Sequence, residues 1–308
     1  MPENYSFIQN GDVSLYVRRI QPVTPSKKAI LLFNSRSLCV ESSMGIPMGS
    51  ISYGDFTASK GLETFLIDLR GYGLSSSIQE QLFDTQEEIF NPMTIEKYYQ
   101  DIKSSILYVK NLLGNDTNIT IMGFSFLATI VVSFSHLYPN LVDNVISLNP
   151  NWLREEDDPV SKVNFFLKSN PNEPFIKTSI AAIQKRFLTA QPIKKDFREP
   201  LWAEEAGNAL KKYHKTFDNN DETWKLHKNI LWTDHLVSLG HMSEINANVL
   251  FITAEYDIEN PFFLVDRFYN KVNNNGNKYI KILPEATHLC IWEKSRHNLY
   301  NWTTEFIL

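Results

Sequence analysis

Apolar residues follow two patterns along the chain. Short unbroken runs, AILLF (29–33), TFLID (64–68), NITIM (118–122), NVISL (144–148), NVLFIT (248–253) and KYIKIL (278–283), predict strands covered by helices on both faces, since strict alternation would mark a sheet with one wet face. Between the second and third runs, Ile95, Tyr98, Ile102, Ile106, Val109 and Leu113 recur at steps of three and four. That spacing gathers them on one side of a helix that can lie against the sheet. Strands alternating with helices predict a mainly parallel sheet, because parallel neighbours need a crossover and a helix supplies it. At the start of the chain, strand-like residues flank Asn10-Gly11, a dipeptide that favours the positive backbone angles of a tight turn, so a first hairpin is expected.

Residues 151–245 break the rhythm. They hold no convincing strand, several helical patterns, many charges and four tryptophans, Trp152, Trp202, Trp224 and Trp232. The expected organisation is a doubly wound α/β core of residues 1–150 and 246–308, with 151–245 inserted as a helical cap over the C-terminal ends of the strands, where ligands bind in open α/β sheets. The alternative is a separate helical domain packed elsewhere. The chain has no internal repeat, and the Asn-rich KVNNNGNK (271–278) reads as a surface turn.

The stretch ITIMGFSFLATIVVSF (119–134) carries one hydroxyl, Ser125, where a strand gives way to a helix. Ser125 is either the N-cap of that helix or a nucleophile raised above the sheet on a sharp strand-to-helix turn. Gly123 relieves the crowding such a turn creates; at the second flanking position, where a glycine is usual, stands Leu127.

DLRGYGLSS (68–76), together with GFSFL, the AEYD segment and the ATH segment, resembles the α/β-hydrolase superfamily, specifically its capped members related to esterases, lactonases and epoxide hydrolases. The resemblance covers nearly the whole chain apart from the cap, and Asp68, Arg70, Gly71, Gly73 and Ser75 match the D-x-R-G-x-G-x-S stretch that shapes the core near the site. It implies an α/β-hydrolase fold and the chain order nucleophile, acid, histidine, which falls here on Ser125, Asp257 and His288. His288 would be the base that takes the serine proton, and Asp257 would fix its tautomer. Asp157 and Asp158 are rival acids after NVISL, and Glu255 is a nearer one on the Asp257 loop. By position, the N–H groups of Arg36 and Phe126 would form the oxyanion hole. In place of the family's His-Gly the chain has Asn34-Ser35, which can still hold a turn. Serine at the elbow favours acyl transfer, where aspartate would have suggested dehalogenase or epoxide hydrolase chemistry.

Composition narrows the alternatives. Thirty basic and thirty-five acidic residues give a net charge of -5 without a long basic run, so nucleic acid is a poor partner. No stretch approaches the ~20 apolar residues of a membrane span, and MPENYSFIQNGDVSLYVRRI lacks the features of a secretory signal, so a soluble cytoplasmic protein is expected. Cys39 and Cys290 are too few for a disulfide framework and are expected reduced. His235 and His241 lie outside any metal-binding spacing, and no phosphate-cradling glycine motif occurs, so neither metal nor cofactor is expected. His214, His227, His235 and His241 read as surface or packing residues.

The expected function is a cofactor-independent serine hydrolase that cleaves a carboxylic ester, lactone or thioester through an acyl-enzyme. Its substrate would be a small molecule with an apolar portion. The competing readings are a C–C bond hydrolase or lyase on the same three residues, and a hydrolase-like protein that only binds.

Overall fold

The computed structural model describes residues 4–33, 35, 37–77, 94–151, 175–192, 197–215, 217–227, 245–273 and 275–308. Eight strands form one sheet: β1 (Tyr5–Asn10), β2 (Val13–Ile20), β3 (Lys28–Phe33), β4 (Glu63–Ile67), β5 (Asn118–Phe124), β6 (Asn144–Leu148), β9 (Asn248–Ala254) and β10 (Lys278–Leu283). Their spatial order is β1-β2-β4-β3-β5-β6-β9-β10. β2 runs antiparallel to β1 and β4, and every other pairing is parallel.

The first hairpin closes through Gly11 and Asp12, with Asn10 opposite Val13. Asn10 is therefore the last strand residue, and Gly11 alone takes a positive φ, 63°, the pattern of a type II′ turn.

Side chains of the inner strands alternate between two cores. Leu31 and Phe33 join one cluster, whereas Ile30 and Leu32 join the other. The first core is covered by α3 (Ile95–Leu113), α4 (Phe126–Leu137) and α7 (Phe262–Lys271). The second is covered by α1 (Val40–Ser43), α2 (Tyr53–Ser59) and α8 (Arg296–Ile307). α3 buries Ile95, Tyr98, Ile102, Ile106 and Val109, while Leu113 is only partly covered at its last turn. KYIKIL differs from the expectation of two covered faces. It is the edge strand, and Tyr279 and Ile282 are about half exposed.

Within 151–245 the described elements are a strand β7 (Phe175–Ser179), helices α5 (Ile180–Thr189) and α6 (Pro200–Tyr213), and a strand β8 (Thr223–His227). β7 and β8 pair as an antiparallel ribbon, which corrects the reading of this segment as strand-free. Five-residue strands that meet only after two intervening helices leave no local alternation to read. α5 is capped by Ser179, whose side chain accepts from Ala182 N at 3.1 Å. Ile180, Ile183 and Phe187 of α5 and Trp202, Ala206 and Leu210 of α6 join the sheet's second core, and Trp224 of β8 is buried there too. Trp152 and Trp232 lie outside the described residues.

Two glycines are demanded by close approach. A Cβ on Gly123 would stand 2.2 Å from the carbonyl oxygen of Leu127, and one on Gly73, where φ is 52°, would stand 1.8 Å from Asp68 Oδ2. Gly123→Ala is expected to destabilise the protein by roughly 3 kcal/mol, because backbone and not a flexible side chain must yield. Gly11→Ala meets no atom within 4 Å and carries only the left-handed backbone cost of about 1 kcal/mol. Urea unfolding of the two variants measures the difference; equal losses would refute the packing argument.

Candidate active site

The parallel strands β5, β6, β9 and β10 all end at one edge of the sheet, so the loops that follow them converge there. Ser125 follows β5 directly and adopts φ 58° and ψ -118°, a combination that costs a non-glycine residue about 1–3 kcal/mol. Its N–H donates to Leu148 O at 2.8 Å, and its carbonyl accepts from Ala128 N at 3.1 Å. Its side chain makes no capping bond to α4, so the N-cap reading fails. The hydroxyl Oγ instead lies 2.9 Å from His288 Nε2, and Ser125 remains partly exposed.

Asp257 follows β9 and His288 follows β10, and both are buried. Asp257 Oδ2 is 2.7 Å from His288 Nδ1, and Asp257 Oδ1 accepts from the N–H groups of Glu259 at 2.9 Å and Asn260 at 2.8 Å. A carboxylate so held can only accept, so Nδ1 carries the imidazole proton and Nε2 presents its lone pair to the serine hydroxyl. Burial pulls the imidazole toward its neutral form. The Asp257 and Glu259 carboxylates outweigh that effect and leave His288 above the ordinary histidine value, with Arg186 acting in the opposite sense. The ring packs against Phe124, centroids 5.3 Å apart.

The other expected residues separate clearly. Glu255 turns away and accepts from Glu285 N at 2.9 Å. Asp157 and Asp158 lie outside the described residues, as do Asn34 and Arg36. Phe126 is the first residue of α4 and is buried beside Ser125. Leu127 is fully buried in the core shared with α3 and α4. In the DLRGYGLSS stretch, Asp68 Oδ1 accepts from Val40 N at 2.7 Å, Arg70 is paired with Asp101 at 2.6 Å, and Ser75 Oγ donates to Asp68 O at 2.6 Å. Burial pushes the Asp68 carboxyl well above the usual range.

Six further residues, Asn149, Arg186, Arg198, Glu259, Asn260 and Glu293, shape the site without having been singled out from the sequence. Asn149, at the end of β6, accepts from Ala254 N at 2.8 Å and donates from Nδ2 to His288 O at 3.1 Å, while its own carbonyl accepts from Asn260 Nδ2 at 2.9 Å. One buried amide thus ties the acid loop to the histidine loop. Glu293 accepts from Thr287 N at 2.7 Å and from Thr287 Oγ1 at 2.6 Å, and Arg198 Nε donates to it at 2.8 Å. Arg198 also donates to Ala190 O at 3.0 Å and to Thr287 Oγ1 at 3.2 Å, which joins the 151–245 segment to the residue preceding His288. Arg186 of α5 holds Glu259 through two bonds of 2.5 Å. The only prior signal was the position of Asn149 and Glu259 on loops after strands.

Cys39 and Cys290 are free and buried, and burial raises both thiols. His214 is buried beside Trp224 and pushed down to about 4 by that burial; the side chains of His227, His235 and His241 lie outside the described residues. Among the described residues no helix is long and apolar enough to cross a membrane, and no group of three or more His, Cys, Asp and Glu side chains is arranged for a metal ion.

Known structures share this architecture. A serine hydrolase from the polyaromatic hydrocarbon-degrading bacterium Cycloclasticus zankles superposes with a TM-score of 0.63 at 14% identity, covering 98% of this chain and 97% of that one. The monoacylglycerol lipase of Paleococcus ferrophilus gives 0.60 at 14%, covering 95% and 98%. E-2-(acetamidomethylene)succinate hydrolase gives 0.64 at 16%, covering 98% of each. At such identities the likeness shows the fold alone. No curated protein sequence matches the chain. The model of the alpha/beta hydrolase fold family matches residues 50–294, and on that match, with the sheet order and strand-end site above, the chain belongs to the α/β-hydrolase family.

Proposed function

We propose that this hydrolase cleaves a carboxylic ester, lactone or thioester through an acyl-enzyme formed on Ser125. The observation that carries the reading is the unbroken chain from Asp257 through His288 to Ser125, with contacts of 2.7 and 2.9 Å. A serine hydroxyl is a weak nucleophile until a base removes its proton. His288 Nε2 takes that proton as Oγ attacks the carbonyl carbon, and Asp257 favours the imidazolium that results. The Phe126 N–H, in the first turn of α4, supplies one donor for the developing oxyanion, and the sequence assigns the second to the Arg36 N–H. The imidazolium then protonates the leaving alkoxide or thiolate. Water, deprotonated by the same nitrogen, attacks the acyl carbon and releases the acid and Ser125.

The described elements of 151–245 act in this reading as a cap. Arg186 reaches the acid loop at Glu259 and Arg198 reaches the histidine loop at Thr287, so the segment stands at the strand ends where substrate enters. The exposed Ile258 and Phe262 beside that loop suit a substrate with an apolar portion, since pockets of this kind are mostly apolar with a few placed polar groups. The sequence expectation of a cytoplasmic enzyme without cofactor completes the proposal.

A fluorophosphonate probe is expected to label Ser125, and Ser125→Ala to abolish both labelling and turnover of short-chain aryl esters. Asp257→Asn, which leaves the wrong tautomer facing serine, is expected to cost roughly 10⁴-fold in kcat. Unchanged turnover in Ser125→Ala would end the proposal. The pH dependence has a definite sign. The base must be neutral, so the rate falls as pH drops through the His288 midpoint. Because the Asp257 and Glu259 carboxylates hold that group high, the labelling rate is expected to be half-maximal above about pH 6.5. A midpoint below that value would show that burial outweighs the two carboxylates at His288.

A further inference from the structure

The nitrogen of His288 that faces serine has a second neighbour. Glu259 Oε2 lies 3.9 Å from Nε2, on the side opposite the pairing of Nδ1 with Asp257. An ionised carboxylate there has an evident destination: it can close on Nε2–H whenever the ring is protonated and form an ion pair of the same kind Asp257 makes at Nδ1. A ring paired at both nitrogens would be a poorer base, and its Nε2 would no longer be directed at Ser125. Glu259 is about two-fifths exposed and follows Asp257 by two residues on a loop.

One restraint on it comes from the inserted segment. Arg186 Nε and Nη2 each lie 2.5 Å from one oxygen of Glu259, a fork-to-fork pairing that fixes the plane of the carboxylate as well as its position. Arg186 is presented by the last turn of α5, a helix anchored in the core by Ile183 and Phe187. Among the described residues, the charged groups acting on the His288 ring are Asp257 and Glu259 from the loop after β9 and Arg186 from α5, with Ser125 the uncharged partner from the elbow.

We infer that Arg186 is a positioning residue of the site: by clamping Glu259 it keeps that carboxylate off His288 Nε2, so that the nitrogen stays available to Ser125. Arg186 touches no reacting atom, and its influence passes through Glu259. This inference rests on the proposed role of Ser125 and His288 for its catalytic consequence, while the electrostatic arrangement itself stands without that role. It also gives the inserted segment a part in the chemistry beyond covering the pocket.

The test compares Arg186→Met, Arg186→Lys, Glu259→Gln and the double variant Arg186→Met/Glu259→Gln in the full-length protein, each first checked for an unchanged thermal melt. Two readouts are used: the pH profile of fluorophosphonate labelling at Ser125, and the titration midpoint of the His288 ring by NMR, assigned from its loss in His288→Ala. Arg186→Met is expected to raise the midpoint by about one pH unit and Glu259→Gln to lower it by a similar amount, the range for a charge 4–6 Å away. Labelling near neutral pH falls about tenfold in Arg186→Met, is restored in the double variant, and is kept in Arg186→Lys. If Arg186→Met and the double variant lose labelling equally with the midpoint unmoved, Arg186 is only a packing residue and the inference is wrong. If Arg186→Met does not fold, Glu259→Gln alone decides: an unmoved midpoint refutes the inference. Wild-type protein that is not labelled refutes the hydrolase reading instead, and the NMR midpoints still decide whether the clamp exists.

Discussion

Every distance in the site is measured from one strained residue. Ser125 holds φ 58° and ψ -118°, which no local preference of serine supports. The conformation persists because the chain on either side cannot move. β5 lies between β3 and β6 in the middle of the sheet, and α4 is buried from Phe126 through Ser135, so a strand and a helix each locked in the core must be joined by a single residue. The energy that holds the turn is the burial of those ten helical residues and of β5, each large apolar side chain contributing about 1.5–3 kcal/mol. Relaxing the serine would mean sliding one of two filled cores.

The partner loops are held differently, by buried polar groups instead of apolar packing. The loop carrying His288 is bonded at Thr287 by Glu293, at the His288 carbonyl by Asn149, and at Ala286 by the N–H of Tyr256 from the acid loop. Each bond is worth only about 1 kcal/mol net, yet a buried group left without its partner costs more than that, so such networks are close to all-or-none. Asn149 suits its place because an amide offers an acceptor for Ala254 N and a donor for His288 O, whereas an ionised carboxylate could only accept. The buried pair of Arg198 and Glu293 extends the network into the segment 151–245. Removing either partner would strand a charge in the core, which couples the order of that segment to the order of the histidine loop.

What could be read in advance follows from this division. The inner strands were legible because a strand covered on both faces is mostly apolar, and residues 29–33, 118–122 and 144–148 are. The three residues that meet at the strand ends were legible because chain order and strand boundaries are local features. β7 and β8 were not, because Phe175 pairs with His227 across two helices and neither strand has a periodicity of its own. Nor were Arg186, Arg198 and Glu293. A charged residue on a helix or a loop normally points to water, and only the folded chain shows that these face each other or Glu259. Tyr279 and Ile282 mislead in the other direction: KYIKIL looks like an inner strand, but no strand follows it to cover its far side.

Leu127 raised the question of whether a side chain could stand where the turn expects a second glycine. The crowding in this elbow lies between the Cα of Gly123 and the backbone of Leu127, whose carbonyl oxygen and carbon would sit 2.2 and 2.4 Å from an added Cβ. The side chain of Leu127 leaves that contact and enters the core lined by α3 and α4, where it is fully buried. The two flanking positions are therefore not equivalent. Position 123 must be glycine because helix backbone lies against it, while position 127 needs only to supply that backbone, and a leucine there adds apolar burial to the helix that holds Ser125 in place.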